Sequence, residues 1–205
     1  MRLPGRLSAA IAVLTDVETR KRPVSEALKA WGIANRFAGA GDRAAIGNLV
    51  YDALRRRASH AALMADDSPR ALVLAVAVRD WAMDPAALNE SFAADDHAPT
   101  PLSAEEIARV TGPLPENAPA HIRADLPEWL APSLERAFGD NWIAEGQAMA
   151  GRPSLDLRTN ALKAQRDRVL KSLDRFHPQP TPIAPLGVTM PAGPGDARTP
   201  NVTTD

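Results

Sequence analysis

The stretch "RPSLDLRTNALKAQRDRVLKSL", residues 152–173, decides how the chain is organised, because two structural periods meet within it. Its first half alternates, with Leu155 and Leu157 on one face and polar residues on the other. This alternation predicts a short, half-buried strand over residues 155–160. Its second half returns to helical spacing, with apolar residues three and four positions apart among arginines and lysines. We therefore expect one short strand followed by a helix here.

The sequence before this stretch is typical of packed helices. Apolar residues make up 45% of the 205-residue chain and aromatic residues only 4%, which favours an alanine- and leucine-rich helical core. The run "ALVLAVAV" at 71–78 is too short to cross a bilayer and predicts a helix buried on every side, which starts at Ser68 before Pro69. The surrounding helices are predicted at 4–20, from Pro23, and from Asp42 as an N-cap.

Later boundaries follow from capping and turn residues. Ser103 and Glu106 form the pattern of a capping box, and two further helices are predicted to meet at Gly139 and Asp140. After residue 176 the chain has seven prolines in 29 residues. Only "LGVTM" (186–190) is expected to form a strand there, paired with 155–160.

The composition excludes several kinds of chemistry. The chain has no cysteine, which excludes disulfides, cysteine-ligated zinc and a thiolate nucleophile within it. The four histidines have no metal-ligand spacing, so we predict no metal site. Gly39 and Gly41 follow a helix rather than a strand and lack a third glycine, which is not the pattern of a nucleotide loop. We find no catalytic residues.

The N-terminal segment predicts an amphipathic helix rather than a signal peptide, and we expect a cytoplasmic protein without a membrane anchor.

Charge is unevenly distributed along the chain. Residues 1–80 carry a net charge of +5, residues 81–150 carry −9 and residues 151–205 carry +3. Two clusters of cations lie at predicted helix ends, and we call their six members the basic rim: Arg20, Lys21, Arg22, Arg55, Arg56 and Arg57. If the first and third helices pack antiparallel to a common neighbour, the basic rim can form a phosphate-binding patch, with Arg2 and Arg6 nearby. The alternative is that these cations only complement the helix dipoles.

The chain resembles a known family at three places. "DRAAIGNLVYDALRRR" (42–57) is similar to the third helix of the NusB-like domains of the RsmB/NOP (Fmu) ribosomal RNA cytosine-C5 methyltransferases. The segment 126–173 is similar to the one that precedes their catalytic domain, where "P-x-W-L", "P-L-x-L-R-x-N" and "L-K" recur. Ser154 departs from the usual Leu of this motif. "TPIAPLGVTMPAGPGD" (181–196) resembles the strand and loop that follow.

The resemblance implies a mainly α fold, in which a NusB-like all-α helical bundle precedes a small α/β (βα) subdomain and a Pro-rich tail. The expected boundaries are 1–124, 125–176 and 177–205, the tail leading to a methyltransferase domain that this sequence lacks. Arg158, Asn160 and Lys163 occupy motif positions and are candidate RNA or interdomain contacts. The alternative is that Asn160 starts a turn and Arg158 pairs with Asp156.

The implied function is RNA recognition in a methyltransferase. Ribosomal RNA and the chain's own C-terminal methyltransferase domain are the expected partners, while S-adenosylmethionine is expected to bind only that missing domain. Alone, the chain should be inactive. The alternatives are a stand-alone NusB-like RNA and protein adaptor in transcription antitermination, and a helical protein–protein interaction module that docks through its acidic middle region.

Overall fold

The structure, a computed structural model, describes residues 1–198 and residue 200, and it is mainly α with a small three-stranded sheet. These residues form two compact units, Met1–Gly151 and the residues from Arg152 onward. The helices are α1 (Leu3–Arg20), α2 (Val24–Ala34), α3 (Ala40–Arg55), α4 (Arg57–Met64), α5 (Pro69–Ala75), α6 (Pro85–Ala93), α7 (Ala104–Thr111), α8 (Ala120–Arg123), α9 (Ala131–Phe138), α10 (Trp142–Ala150) and α11 (Arg166–Ser172). The strands are β1 (Leu155–Arg158), β2 (Gln179–Pro180) and β3 (Gly187–Met190).

The predicted core helix is confirmed. Residues 71–77 are each at most 2% exposed, because α1, α3 and α4 pack around α5. The helix does not end at Ala75 but continues as a π-helical turn, Val76–Asp80, closed by a 2.9 Å bond from the Trp81 N–H to the Val76 carbonyl. This turn brings Arg79 and Asp80 to the surface end of an otherwise apolar helix.

Helices α1 and α3 pack side by side and run in the same direction. At their N-terminal ends, the Arg6 guanidinium lies 2.9 Å from the Asp42 carboxylate. At the other end, Arg57, which directly follows α3 and its junction residue, lies 2.6 Å from Glu18 on the last turn of α1. The C-terminal ends of the two helices are therefore neighbours.

Two predicted helix starts are confirmed and one is wrong. The Ser68 hydroxyl caps α5, and Ser103 and Glu106 form the reciprocal capping box at α7, at 3.1 and 2.8 Å. Asp42 is not the N-cap of α3, because the helix already begins at Ala40. Its carboxylate instead reaches back to accept the Gly39 N–H at 3.1 Å, as an acidic residue in a first turn does.

The second unit contains an antiparallel sheet in the order β1-β3-β2. Because β3 is antiparallel to both neighbours, β1 and β2 are parallel strands separated by β3 and joined through α11, which contacts β3. This is a split β-α-β arrangement. Leu157 pairs with Val188 and Leu155 with Met190, and the two β3 residues are buried. The predicted pairing of the two main strands is confirmed.

Two expectations for this region differ from the structure. Strand β1 ends at Arg158, so Asn160 lies outside it. The tail contributes β2 as well as β3, and this two-residue strand with a proline has no alternation from which to predict it. The compact units divide at 151/152, and β3 from the predicted tail pairs with β1. The domain boundaries at 124/125 and 176/177 stay a prediction. Residues 199 and 201–205 of that tail lie outside the described residues.

None of the described helices combines the length and the apolar run that crossing a membrane requires.

Candidate nucleic-acid interface

The fold brings the two clusters of the basic rim together. Arg20, Lys21 and Arg22 lie at the end of α1, and Arg55, Arg56 and Arg57 lie where α3 gives way to α4. The ion pair between Arg57 and Glu18 joins the two clusters directly. The geometric condition for a shared phosphate-binding patch is therefore met.

The charge of the basic rim, however, is largely compensated by carboxylates. Among the described ion pairs, five of its six cations contact an acidic side chain, and five different carboxylates take part. The pairs are Arg20 with Asp16 at 3.1 Å, Arg22 with Asp16, Arg55 with Asp52 at 3.0 Å, Arg56 with Asp80 at 3.3 Å, and Arg57 with Glu18 at 2.6 Å and Asp67 at 3.5 Å. Lys21, in a left-handed backbone conformation, is the exception. Paired charges produce a weak field for a distant polyanion.

Arg2 and Arg6 do not belong to the basic rim, contrary to the prediction. They lie at the N-terminal end of α1, and an uninterrupted helix separates Arg6 from Arg20 by about 21 Å. Arg6 is paired with Asp42, and Arg2 lines a groove of about 730 Å³ beside Trp31. The reason is that α1 is continuous from Leu3 to Arg20, so its two ends cannot share one patch.

The second unit holds cations of a different kind. Arg158 is exposed on β1, where its cross-strand neighbour is Gly187. Lys163 is exposed in the turn that follows β1, and Arg168 and Lys171 are exposed on α11. Within the described part of the chain, none of these four has a carboxylate partner. They are therefore available to an external phosphate.

Asn160 organises the turn that carries Lys163. Its side-chain oxygen accepts the Leu162 N–H at 3.1 Å, and its backbone carbonyl accepts the N–H groups of Lys163 and Ala164. The turn-forming alternative for Asn160 therefore matches the structure. Asp156 instead accepts a hydrogen bond from Ser154, at 3.1 Å, and forms no ion pair with Arg158. The same turn leaves Leu162 97% exposed.

The glycine-rich loop after β3 does not have the geometry of a cofactor loop. A loop that holds S-adenosylmethionine or phosphate presents backbone N–H groups to its ligand. Here the carbonyls of Gly193, Pro194 and Gly195 point instead at the Arg152 guanidinium, which donates to them at 3.0–3.4 Å. This loop therefore presents carbonyl oxygens rather than N–H groups at that point, and the described residues contain no group of three or more His, Cys, Asp or Glu side chains that could hold a metal ion.

Sequence reasoning missed a buried polar cluster beside the basic rim. His60 on α4 lies with its Nε2 3.4 Å from the Asp80 carboxylate, which Arg56 also contacts. Burial, together with the nearby charges of Arg56 and Arg79, lowers the pKa of His60 to about 4. Burial raises the pKa of Asp80 to about 6, although Arg56 opposes that rise. The available signal was the "RD" pair that directly follows the apolar run.

Asp125 extends this cluster toward α8. Its two carboxylate oxygens accept hydrogen bonds from the backbone N–H and the hydroxyl of Ser59, each at 2.8 Å. Burial raises its pKa, and the Ser59 bonds and Arg56 partly oppose this. The residues Ser59, His60, Asp80 and Asp125 thus form a polar junction between α4, the π-helical turn and the segment after α8.

The second unit has a split β-α-β fold of the ferredoxin-like type, and it follows a helical unit in the chain. Residues 126–193 match the family described as "Methyltr_RsmF/B-like, ferredoxin-like domain". This segment, which runs from before α9 to the loop after β3, is therefore similar to that ferredoxin-like domain. The predicted resemblance to the N-terminal region of the RsmB/Fmu family is confirmed.

The match covers a third of the chain and includes Arg158, Asn160 and Lys163. The comparisons with curated proteins and with solved structures find no match. The NusB-like character of the helical unit stays a prediction.

Proposed function

We propose that this chain is the RNA-recognising N-terminal region of an S-adenosylmethionine-dependent ribosomal RNA cytosine-C5 methyltransferase, acting in the cytoplasm. The observation that carries the proposal is the set of exposed cations without carboxylate partners, Arg158, Lys163, Arg168 and Lys171, inside or beside the motif of the matched domain. Their role is to hold RNA phosphates while a methyltransferase domain acts on the base.

The physics of phosphate binding favours these cations over the basic rim. A cation gains affinity for RNA by releasing condensed counterions, and a cation already paired with a carboxylate has fewer to release. The outward face of the sheet is also polar, with Asp156, Arg158 and Thr189 on it. With aromatic residues at 4% of the chain, shape and phosphate contacts rather than base stacking carry recognition.

The chemical step lies outside these residues. The chain has no cysteine, and its described glycine loops do not offer N–H groups to a cofactor. We propose that S-adenosylmethionine binds to a methyltransferase domain rather than to this chain. Isothermal titration calorimetry should show no stoichiometric heat with S-adenosylmethionine, and a saturating isotherm would contradict this assignment.

One observation favours a protein contact in addition to RNA. Trp129 is 76% exposed, and Phe138 and Met149 are also exposed. Helix α9, which ends at Phe138, has an apolar face, yet none of its residues is buried. Apolar side chains left open in this way mark protein interaction surfaces. We propose that the methyltransferase domain is the partner. The alternative of a stand-alone adaptor predicts RNA binding without methylation. The alternative of a protein–protein interaction module predicts no RNA binding.

The test is RNA affinity as a function of salt. Fluorescence anisotropy with ribosomal RNA fragments should give an affinity for the parent protein that falls steeply as salt rises. The variant Arg158→Gln/Lys163→Gln should weaken binding at low salt and flatten the log–log slope by roughly 0.7–0.9 for each lost contact. Both side chains are exposed, so little change in thermal stability is expected.

The matched control is Arg123→Gln/Arg136→Gln. It removes two exposed arginines from the helical unit that also have no carboxylate partner among the described residues. The control should bind with the slope of the parent. Equal losses in both double variants would show that only total charge matters, and RNA binding absent from the parent would overturn the proposal.

A further inference from the structure

The sheet of the second unit has one buried face and one polar face. Strand residues that pair directly across a sheet point to the same side of it. On one side, Val188 and Met190 of β3 are at most 2% exposed. On the other side, the register places Asp156 of β1 and Gln179 of β2 to the left and right of Thr189 of β3. Asp156 and Gln179 are exposed, and Thr189 is half-buried. We call these three residues the polar row.

The polar row offers a carboxylate, a hydroxyl and an amide at the spacing of neighbouring strands, about 4.8 Å. Among the described residues, the Thr189 hydroxyl and the Gln179 amide have no hydrogen-bond partner. Asp156 forms no ion pair there and accepts one hydrogen bond, from the Ser154 hydroxyl at 3.1 Å. Since a carboxylate has about four acceptor positions, most of its capacity remains. The polar row therefore presents strong acceptors beside groups that donate.

A cation borders the polar row on the same face of the sheet. Arg158 lies two residues beyond Asp156 on β1, so it points to the same side, and it has no carboxylate partner in the described part of the chain. Its cross-strand neighbour Gly187 has no room for a Cβ, because Thr181 and Ala184 of the β2–β3 loop lie against that position. The loop thus covers the sheet at this end, while the polar row stays accessible to solvent.

The chemistry of this face suits an unpaired base better than a protein or an RNA duplex. The centre of a protein interface is apolar, and the polar row has no apolar member. A duplex presents phosphates and 2′-hydroxyl groups, and its base edges lie in a deep, narrow major groove that side chains do not reach. An unpaired base exposes its Watson–Crick edge to hydrogen bonding, and a phosphate of the same strand suits the guanidinium of Arg158.

We propose that the polar row binds the Watson–Crick edge of one unpaired guanine in RNA, with Arg158 at a neighbouring phosphate, an assignment that rests on the proposed function. Guanine fits because its edge carries two adjacent donors, N1–H and the N2 amine, beside the O6 acceptor. The two oxygens of the Asp156 carboxylate accept both donors, and the Thr189 hydroxyl and the Gln179 amide supply donors for O6. Adenine, cytosine and uracil each offer the carboxylate only one donor group on this edge.

The test compares a short oligouridine that carries one central guanosine with the same RNA carrying inosine, which lacks only the N2 amine. Fluorescence anisotropy at constant salt should show that the parent protein binds the guanosine RNA about tenfold more tightly, the effect of one hydrogen bond to a charged acceptor. Annealing both RNAs to the same complementary strand should remove this difference, because the edge is then paired. Equal affinity for the two single strands, or a difference that persists in the duplexes, would overturn the assignment.

Asp156→Asn is the informative variant, because it replaces one of the two acceptor oxygens of an exposed side chain by a donor. Its preference for guanosine over inosine should fall from about tenfold toward none. The matched control is Asp167→Asn, since Asp167 is exposed on α11 and also forms no ion pair among the described residues. The control removes the same charge outside the polar row and should keep the preference of the parent. An unchanged preference in Asp156→Asn, or an equal loss in both variants, would overturn the role of Asp156.

The two possible failures are distinguishable. A parent protein that binds none of these RNAs, nor ribosomal RNA fragments, would contradict the proposed function itself. A parent protein that binds the single strands with a steep salt dependence but without preference for guanosine would leave the proposed function intact and overturn only the base contact of the polar row.

Discussion

At the scale of single residues, His60 and Asp80 affect stability in opposite directions over the same pH range. The pKa of His60 falls from 6.5 to about 4 on folding, so its neutral form stabilises the protein above pH 6.5, and this contribution is lost as pH falls toward 4. The pKa of Asp80 rises from 3.8 to about 6, so its contribution is present below 3.8 and is lost as pH rises toward 6. In the parent protein the two contributions nearly cancel.

Single substitutions should separate these contributions. Between pH 4 and pH 6, the free energy of unfolding of His60→Gln should fall with rising pH relative to the parent, because only the Asp80 contribution remains. The free energy of unfolding of Asp80→Asn should instead rise with pH over this range, relative to the parent. Each slope is at most about 1.4 kcal/mol per pH unit, the effect of one proton. Urea denaturation at several pH values measures both, and slopes of the same sign would contradict the two assignments.

The ion pair between Glu18 and Arg57 tests how strongly the basic rim is held together. Both side chains are about a third exposed, so the solvent screens their attraction. A double-mutant cycle with Glu18→Gln and Arg57→Gln should give a coupling energy of about 0.2–1 kcal/mol. A coupling near zero in low-salt thermal unfolding would mean that Arg57 is free to turn toward RNA, contrary to the compensation described above.

At the scale of secondary-structure elements, α10 packs against the segment after α8 through a glycine. A Cβ at Gly146 would lie 2.6 Å from the Ala124 carbonyl oxygen and 2.8 Å from the Ala124 Cβ, and Ala124 is fully buried. Gly146→Ala should therefore destabilise the protein by about 1–3 kcal/mol, although alanine favours a helix. Differential scanning calorimetry measures this change.

Gly47→Ala is the matched control, because Gly47 lies in the middle of α3 and a Cβ there would meet only Leu28, at 3.9 Å. It should stabilise the protein by about 0.5–1 kcal/mol through helix propensity. A stabilising effect of both substitutions would show that the α8–α10 contact is looser than described.

The elements with a clear sequence pattern could be predicted, and those set by tertiary context could not. The apolar run of α5, the caps at Ser68 and Ser103, and the alternation of β1 are local signals. The π-helical turn has no such signal, since it depends on how α5 meets its neighbours. Strand β2 is two residues long and exists only because β3 lies beside it.

At the scale of the whole molecule, the candidate site could be predicted only in part. The sequence singled out the basic rim, Arg158 and Lys163 but not Arg168 or Lys171, and the fold places the two clusters of the basic rim next to each other. Which of them are compensated depends on contacts between residues far apart in the chain, such as Arg57 with Glu18 and Arg56 with Asp80. No local pattern encodes those pairs. The uncompensated cations of the second unit therefore emerged only from the structure.

The most direct test of the account is the salt dependence of RNA binding for a charge-balanced rim variant. Glu18→Gln/Arg57→Gln removes one cation and its carboxylate, so the net charge is unchanged. We predict that this variant binds ribosomal RNA fragments with the affinity and log–log salt slope of the parent, while Arg158→Gln/Lys163→Gln flattens the slope by about 1.4–1.8 in total. A flattened slope for the rim variant and a parental slope for Arg158→Gln/Lys163→Gln would contradict the account.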